Sequence, residues 1–223
     1  MSFLSKVNFS LKKPKIIIII GNDRACTAEA VYQALGENLR VKKITDKENL
    51  PFLKKDEILI FQTNFPNISC FKKLEFLIKK SALPILIITH LTDASLRAKT
   101  QEIAKLIKTL PVFGYLALNS DDEVVREIND FSNLNALTFG FRETARFQAS
   151  DVKIDNGISF KLNYKGNIIP VRLPELFKKE QIYPILAVFC VVIILNLNLI
   201  KITENLKNYK ELPACRQAGP TNR

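Results

Sequence analysis

The chain has 223 residues, 47% of them hydrophobic and 25% charged, a balance that excludes a disordered chain and leaves enough length to bury a core. Its 33 basic and 22 acidic residues give a formal net charge of +11. The lysines come as scattered pairs (Lys12-Lys13, Lys42-Lys43, Lys54-Lys55, Lys72-Lys73, Lys79-Lys80, Lys178-Lys179) without arginine–aromatic interleaving, so a solvated surface rather than a nucleic-acid partner is expected.

Residues 1–13 read as an N-terminal extension, too short and polar at Met1 to Lys6 to be a secretory signal. Lys15 to Ile20 (KIIIII) is an apolar, β-branched run of strand length, as expected of a central parallel strand. Gly21-Asn22-Asp23 breaks it, and a helix is predicted from Cys26 to Leu35. A strand, a tight turn and a helix N-terminus form the unit that receives phosphates in many α/β proteins. Further strands are predicted at 41–45, 57–62, 84–89, 115–118 and 135–139. Helices are predicted between them at about 70–80, 95–110 and 122–131. This alternation predicts a parallel sheet with helices on both faces over 14–140. Short strands at 147–154, 158–164 and 167–173 follow, joined by Asp155-Asn156-Gly157 and Lys165-Gly166. Asn-Gly is a hairpin signal because the turn needs positive φ, so a small antiparallel meander over 147–173 is predicted. Two closing helices, about 183–195 and 199–209, and an irregular tail at 211–223 complete the chain.

The segment from Gln181 to Ile200 has no charged residue. About 20 apolar residues are needed to span a bilayer as a helix, and this run reaches that length only by including Gln181, Asn196 and Asn198. A buried helix ending near Asn196 accounts for it, with a membrane-anchored, non-enzymatic protein spanning near 182–200 as the alternative. Cys26, Cys70, Cys190 and Cys215 form no C-x-x-C pair, and His90 is the only histidine. No zinc site is therefore indicated, and His90 reads as a strand-end residue.

Five strings occur in a telling order. Leu116-Ala117-Leu118-Asn119-Ser120-Asp121-Asp122 resembles V-L-N-x-D-D of the Mur ligases. Leu137-Thr138-Phe139-Gly140 resembles that family's T-F-G, and Ala149-Ser150-Asp151-Val152 resembles its A-S-D-I. Ile169 to Pro174 resembles the strand before its nucleotide-facing helix, and Leu206 to Tyr209 the segment before its P-G-R. The likeness runs from about Pro14 to Leu212 and is greatest to the UDP-N-acetylmuramoyl-tripeptide–D-alanyl-D-alanine ligases. It implies a P-loop NTPase-like middle domain over 14–210. It also implies a cytoplasmic role in peptidoglycan and cell-wall biogenesis: ATP-dependent amide-bond formation with ATP and Mg²⁺ as cofactors. The partners implied are UDP-muramoyl peptide or a second ligase chain, without nucleic acid or membrane.

The family's chemistry needs a backbone cradle and a lysine for the triphosphate, plus hard oxygen ligands for Mg²⁺. Its loop has the form G-x-N-G-K-T-T-T; this chain, aligned on Thr27 and Glu29, has Ile20-Gly21-Asn22-Asp23-Arg24-Ala25-Cys26-Thr27. Arg24 stands at the lysine, Ala25 at the magnesium-binding hydroxyl and Asp23 at a glycine. The resemblance places Gln62 at a metal-binding glutamate, Ser95 at a histidine ligand and His90 at an asparagine. Thr100, or Lys99 by a one-residue slip, stands at the carbamylated lysine, and Glu180 or a neighbour at the histidine of G-x-H. Pro213 to Gly219 replaces P-G-R, and both flanking domains are missing. The resemblance thus implies a truncated pseudoenzyme with vestigial nucleotide-binding residues Gly21, Asn22, Arg24 and Thr27, and no catalytic or metal-binding residue. A working ligase remains a second reading, with Arg24 on phosphate and metal at Asp121 and Asp122. Against it, a strand-end asparagine at Asn119 and a helix-capping aspartate are common structural devices.

Overall fold

The computed structural model describes residues 2–64, 67–92, 94–130 and 136–210; the predicted irregular tail, the counterpart of P-G-R and the start of the predicted strand at Asn135 lie outside them. Among the described residues, nine strands form one sheet in the order β2-β3-β1-β4-β5-β6-β7-β8-β9. Their ranges are β1 (Lys15–Ile20), β2 (Val41–Thr45), β3 (Ile58–Thr63), β4 (Leu83–Ile88), β5 (Tyr115–Asn119), β6 (Leu137–Gly140), β7 (Phe147–Asp155), β8 (Gly157–Tyr164) and β9 (Asn167–Leu173). Every pairing from β2 through β7 is parallel, and β7-β8-β9 are antiparallel. The helices are α1 (Phe3–Lys12), α2 (Arg24–Gly36), α3 (Ile68–Lys80), α4 (Ala94–Arg97), α5 (Thr100–Ile107), α6 (Glu123–Asp130), α7 (Ile182–Ile194) and α8 (Leu199–Asn205).

The isoleucine run explains the layering. Successive side chains of a strand point to opposite faces, so Ile17 and Ile19 enter a core with α2 and α7. Ile16, Ile18 and Ile20 enter a second core with α3, α5 and α6. All five are fully buried, because β1 has neighbours on both edges and helices on both faces.

The expected antiparallel meander is present, and it continues the main sheet: β6 and β7 pair in parallel, Phe139 opposite Phe147 and Gly140 opposite Gln148. Elsewhere the structure adds to or corrects the expectations. The helix predicted at 95–110 is two, α4 and α5, interrupted where the Lys99 amide turns back to Leu96 O at 3.0 Å. The N-terminal extension contains α1, with Ser2 accepting from the Ser5 amide and Lys13 in the left-handed region closing its end on Phe9 O. The membrane alternative is overturned. The apolar run is the 13-residue α7, roughly 20 Å long at 1.5 Å per residue, against a hydrocarbon core of about 30 Å. Ile182 and Pro184 to Val192 are buried in the core shared with α2 and the sheet. No described helix is long and apolar enough to cross a membrane.

Candidate functional site

The strand order dictates where a ligand crevice falls. From β1 the chain moves outward to β2, returns to β3, and then crosses to β4 on the other side of β1. In open α/β sheets the crevice lies at such a reversal, outside the carboxyl ends of the strands. Here that position is framed by the β1–α2 loop (21–23), the residues after β4 (89–92) and the end of β5 at Asn119.

Gly21 adopts φ +130°, and a Cβ there would lie 2.8 Å from His90 O and 2.1 Å from Thr89 Oγ1. Only glycine lets the two loops come this close. The loops are then joined by their own groups. The Asn22 amide donates to His90 O (2.8 Å), and the Thr92 amide donates to Asn22 Oδ1 (3.1 Å). The Asp23 carboxylate bonds His90 Nδ1. Arg24 folds back, its Nη1 donating to Gly21 O at 3.0 Å.

His90 extends this chain of contacts. Asn119 Oδ1 accepts from the Asp121 amide (3.0 Å), so its amide nitrogen donates to His90 Nε2 (2.8 Å). Nε2 is thereby the acceptor, and Nδ1 carries the hydrogen given to Asp23. The Tyr183 ring, in the first turn of α7, meets His90 edge-on at 4.4 Å and Phe141 at 5.0 Å. Its hydroxyl donates to Asp121 Oδ2 at 3.0 Å. Burial, and then the adjacent Asp121 carboxylate, push the Tyr183 hydroxyl well above the ordinary phenol range.

The two aspartates have structural work. Asp121 accepts from the Phe141 amide (2.7 Å) and the Arg142 amide (3.2 Å). Gly140 permits this, since a Cβ there would lie 2.7 Å from the Asp121 carboxylate. Asp122 caps α6 through the Val125 amide (3.0 Å) and ties down the loop after β4 through the Leu91 amide (2.9 Å). Their oxygens thus already accept hydrogen bonds. Among the described residues no group of three His, Cys, Asp or Glu is placed to hold a metal ion.

Of the sequence-derived candidates, Gly21, Asn22 and Arg24 come together at the crevice. Thr27 lies inside α2, fully buried, and its hydroxyl has no hydrogen-bond partner among the described residues. Gln62, in β3, also has a buried side-chain oxygen without a partner among them. Ser95 is exposed in α4, Lys99 and Thr100 sit at the α4–α5 junction, and Glu180 is exposed in a 3-10 turn before α7. The role of Tyr183 escaped the sequence reading, which placed it only at the start of an apolar run. His90 and Asn119, read from the sequence as strand-end residues, also stand at the crevice.

This architecture defines an α/β domain of the Mur ligase fold. The described chain superposes on the MurF ligase of Thermotoga maritima in complex with ADP with a TM-score of 0.76 at 16% identity, covering 94% of this chain and 52% of that one. It matches the UDP-N-acetylmuramoylalanyl-D-glutamyl-2,6-diaminopimelate–D-alanyl-D-alanyl ligase of Acinetobacter baumannii with a TM-score of 0.75 at 13% identity, over 94% and 49% of the two chains. By sequence, part of the chain is similar to curated Mur ligases. It is 33% identical over 102 residues to the UDP-N-acetylmuramate–L-alanine ligase of Sulfurihydrogenibium sp. (strain YO3AOP1), covering 45% of this chain and 22% of that protein. A 34% identical stretch of 73 residues matches the UDP-N-acetylmuramoyl-L-alanyl-D-glutamate–2,6-diaminopimelate ligase of Lactiplantibacillus plantarum, 32% of this chain and 15% of that one. The chain thus matches about a fifth of these curated relatives and about half of the solved structures. No protein-family model matches it.

Proposed function

We propose that this chain is a Mur-ligase-type nucleotide domain, nearest in kind to the ligases that add D-alanyl-D-alanine to UDP-muramoyl tripeptide, in which ATP use has been lost. It would act as a non-catalytic module, on UDP-muramoyl peptide or beside a second ligase chain. The observation that carries this reading is the bonded closure of the crevice. A triphosphate needs free backbone amides, a forward-pointing cation and a hydroxyl for magnesium. Here the Asn22 amide is spent on His90 O, and the Asp23 carboxylate stands in the loop against His90. Arg24 bonds the loop's own carbonyl, and residue 25 is alanine. ATP with Mg²⁺ does not fit these residues.

Titration calorimetry with ATP and Mg²⁺ tests the reading. The natural chain should give no binding heat, and a folded D23G/R24K/A25T variant should gain metal-dependent binding. Micromolar binding with phosphate release by the natural chain would overturn it.

A further inference from the structure

We propose that α1 is a docking helix for an anionic bilayer surface, a role independent of whether the crevice accepts nucleotide. The helix is held to the body by one narrow side: Phe9 and Ser5 are its buried residues, and Phe9 packs on Phe76 of α3 at 6.0 Å between ring centroids. Asn8 adds bonds to the backbone of Leu53 in both directions. On the side away from that anchor stand its other large apolar residues, with Phe3 78%, Leu4 66%, Val7 39% and Leu11 76% exposed. At about 100° per residue these four fall within one arc of roughly 100°. A docked helix that buries a serine while presenting phenylalanine, valine and two leucines to water is amphipathic toward something outside the fold.

Charge identifies the occupant. The helix has no acidic residue; Lys6 flanks the apolar arc, and Lys12 and Lys13 stand at the C-terminal end of the helix. Beside Lys6, a basin of about 210 Å³ is lined by Ser69, Lys72, Lys73 and Phe76. Lys73 donates to Glu48 O (2.9 Å), while Lys6, Lys72 and the Ser69 hydroxyl line a shallow hollow that suits an anionic headgroup, and the apolar ridge beside it suits the acyl boundary. This pairing is the pattern of a helix lying in the membrane interface. A second copy would set these lysines against their own equivalents. A surface-lying helix needs no span, and it coexists with a buried α7.

The full chain should co-sediment with vesicles of phosphatidylcholine and phosphatidylglycerol in equal parts and remain in the supernatant with phosphatidylcholine alone. F3S/L11S should raise the lipid concentration for half-binding roughly tenfold or more, with an unchanged far-ultraviolet dichroism spectrum. Because the chain has no tryptophan, F3W is a background-free reporter whose emission should shift to the blue on the anionic vesicles only. The proposal is overturned if the natural chain ignores anionic vesicles, if both vesicle types bind it equally, or if F3S/L11S binds as well as the natural chain. It is equally overturned if the chain is a dimer that F3S/L11S splits, since the ridge would then cover a second copy.

Discussion

The sheet beneath α2 and α7 and the loops at its carboxyl edge obey different rules, although they share residues of the same strands. In the interior, apolar shape is the only demand. β1 meets it with five fully buried isoleucines, and α7 with ten buried residues. At the edge, polar groups must each find a partner once water is excluded. Asp23, His90, Asn119, Asp121 and Tyr183 find one another. The contrast teaches that the fold and the crevice depend on different residues, because packing energy is spread over many side chains and crevice chemistry rests on a few.

The largest effect expected is in the interior. Phe189→Ala removes a fully buried ring from α7 and should cost about 3–5 kcal/mol in urea unfolding; a loss near zero would mean that α7 does not sit in the core. Next comes Asp122→Ala, which strips the α6 cap and strands the Leu91 amide. A cost of about 2–3 kcal/mol is expected from the lost cap and the unpaired buried donor, and a cost like that of an exposed carboxylate would remove Asp122 from the edge network. Thr27→Val has the opposite sign. It deletes a buried hydroxyl that has no partner and should stabilise by about 1 kcal/mol, whereas destabilisation would show that the hydroxyl is engaged in solution. The smallest effect lies at Glu29. Burial raises its pKa, but Lys43 and Gln33 outweigh that and hold it below the ordinary carboxylate value. Its stabilisation is therefore present at neutral pH and lost as pH falls through the folded-state pKa. Glu29→Gln should flatten the stability–pH slope on the acid side of the ordinary carboxylate range, and an unchanged slope would assign the acid sensitivity elsewhere.

Much of the interior was legible in the sequence. Lys15–Ile20 could only be a strand covered on both faces, and the alternation up to Gly140 specified a parallel sheet. The uncharged stretch at 182–195 was ambiguous, since a buried helix and a short span share one composition; the 13 residues of α7 and their contacts with α2 decided it. The N-terminal extension concealed α1, although Ser2 and the Lys13-Pro14 stop were readable as its ends. The crevice was half legible. Gly21, Asn22 and Arg24 lie where the turn after β1 placed them, whereas Thr27 turned inward with the buried side of α2.

Apart from α1 and the break between α4 and α5, the sequence by itself determined which segments are strands and helices, because hydrophobic period and turn chemistry are local properties. Tertiary structure alone decided that Asp23 meets His90, that His90 meets Asn119, and that Tyr183 reaches Asp121. These partners lie 67, 29 and 62 residues apart in the chain, and only the parallel sheet, which brings the carboxyl ends of β1, β4 and β5 to one edge with α7 packed against it, sets them within hydrogen-bonding distance.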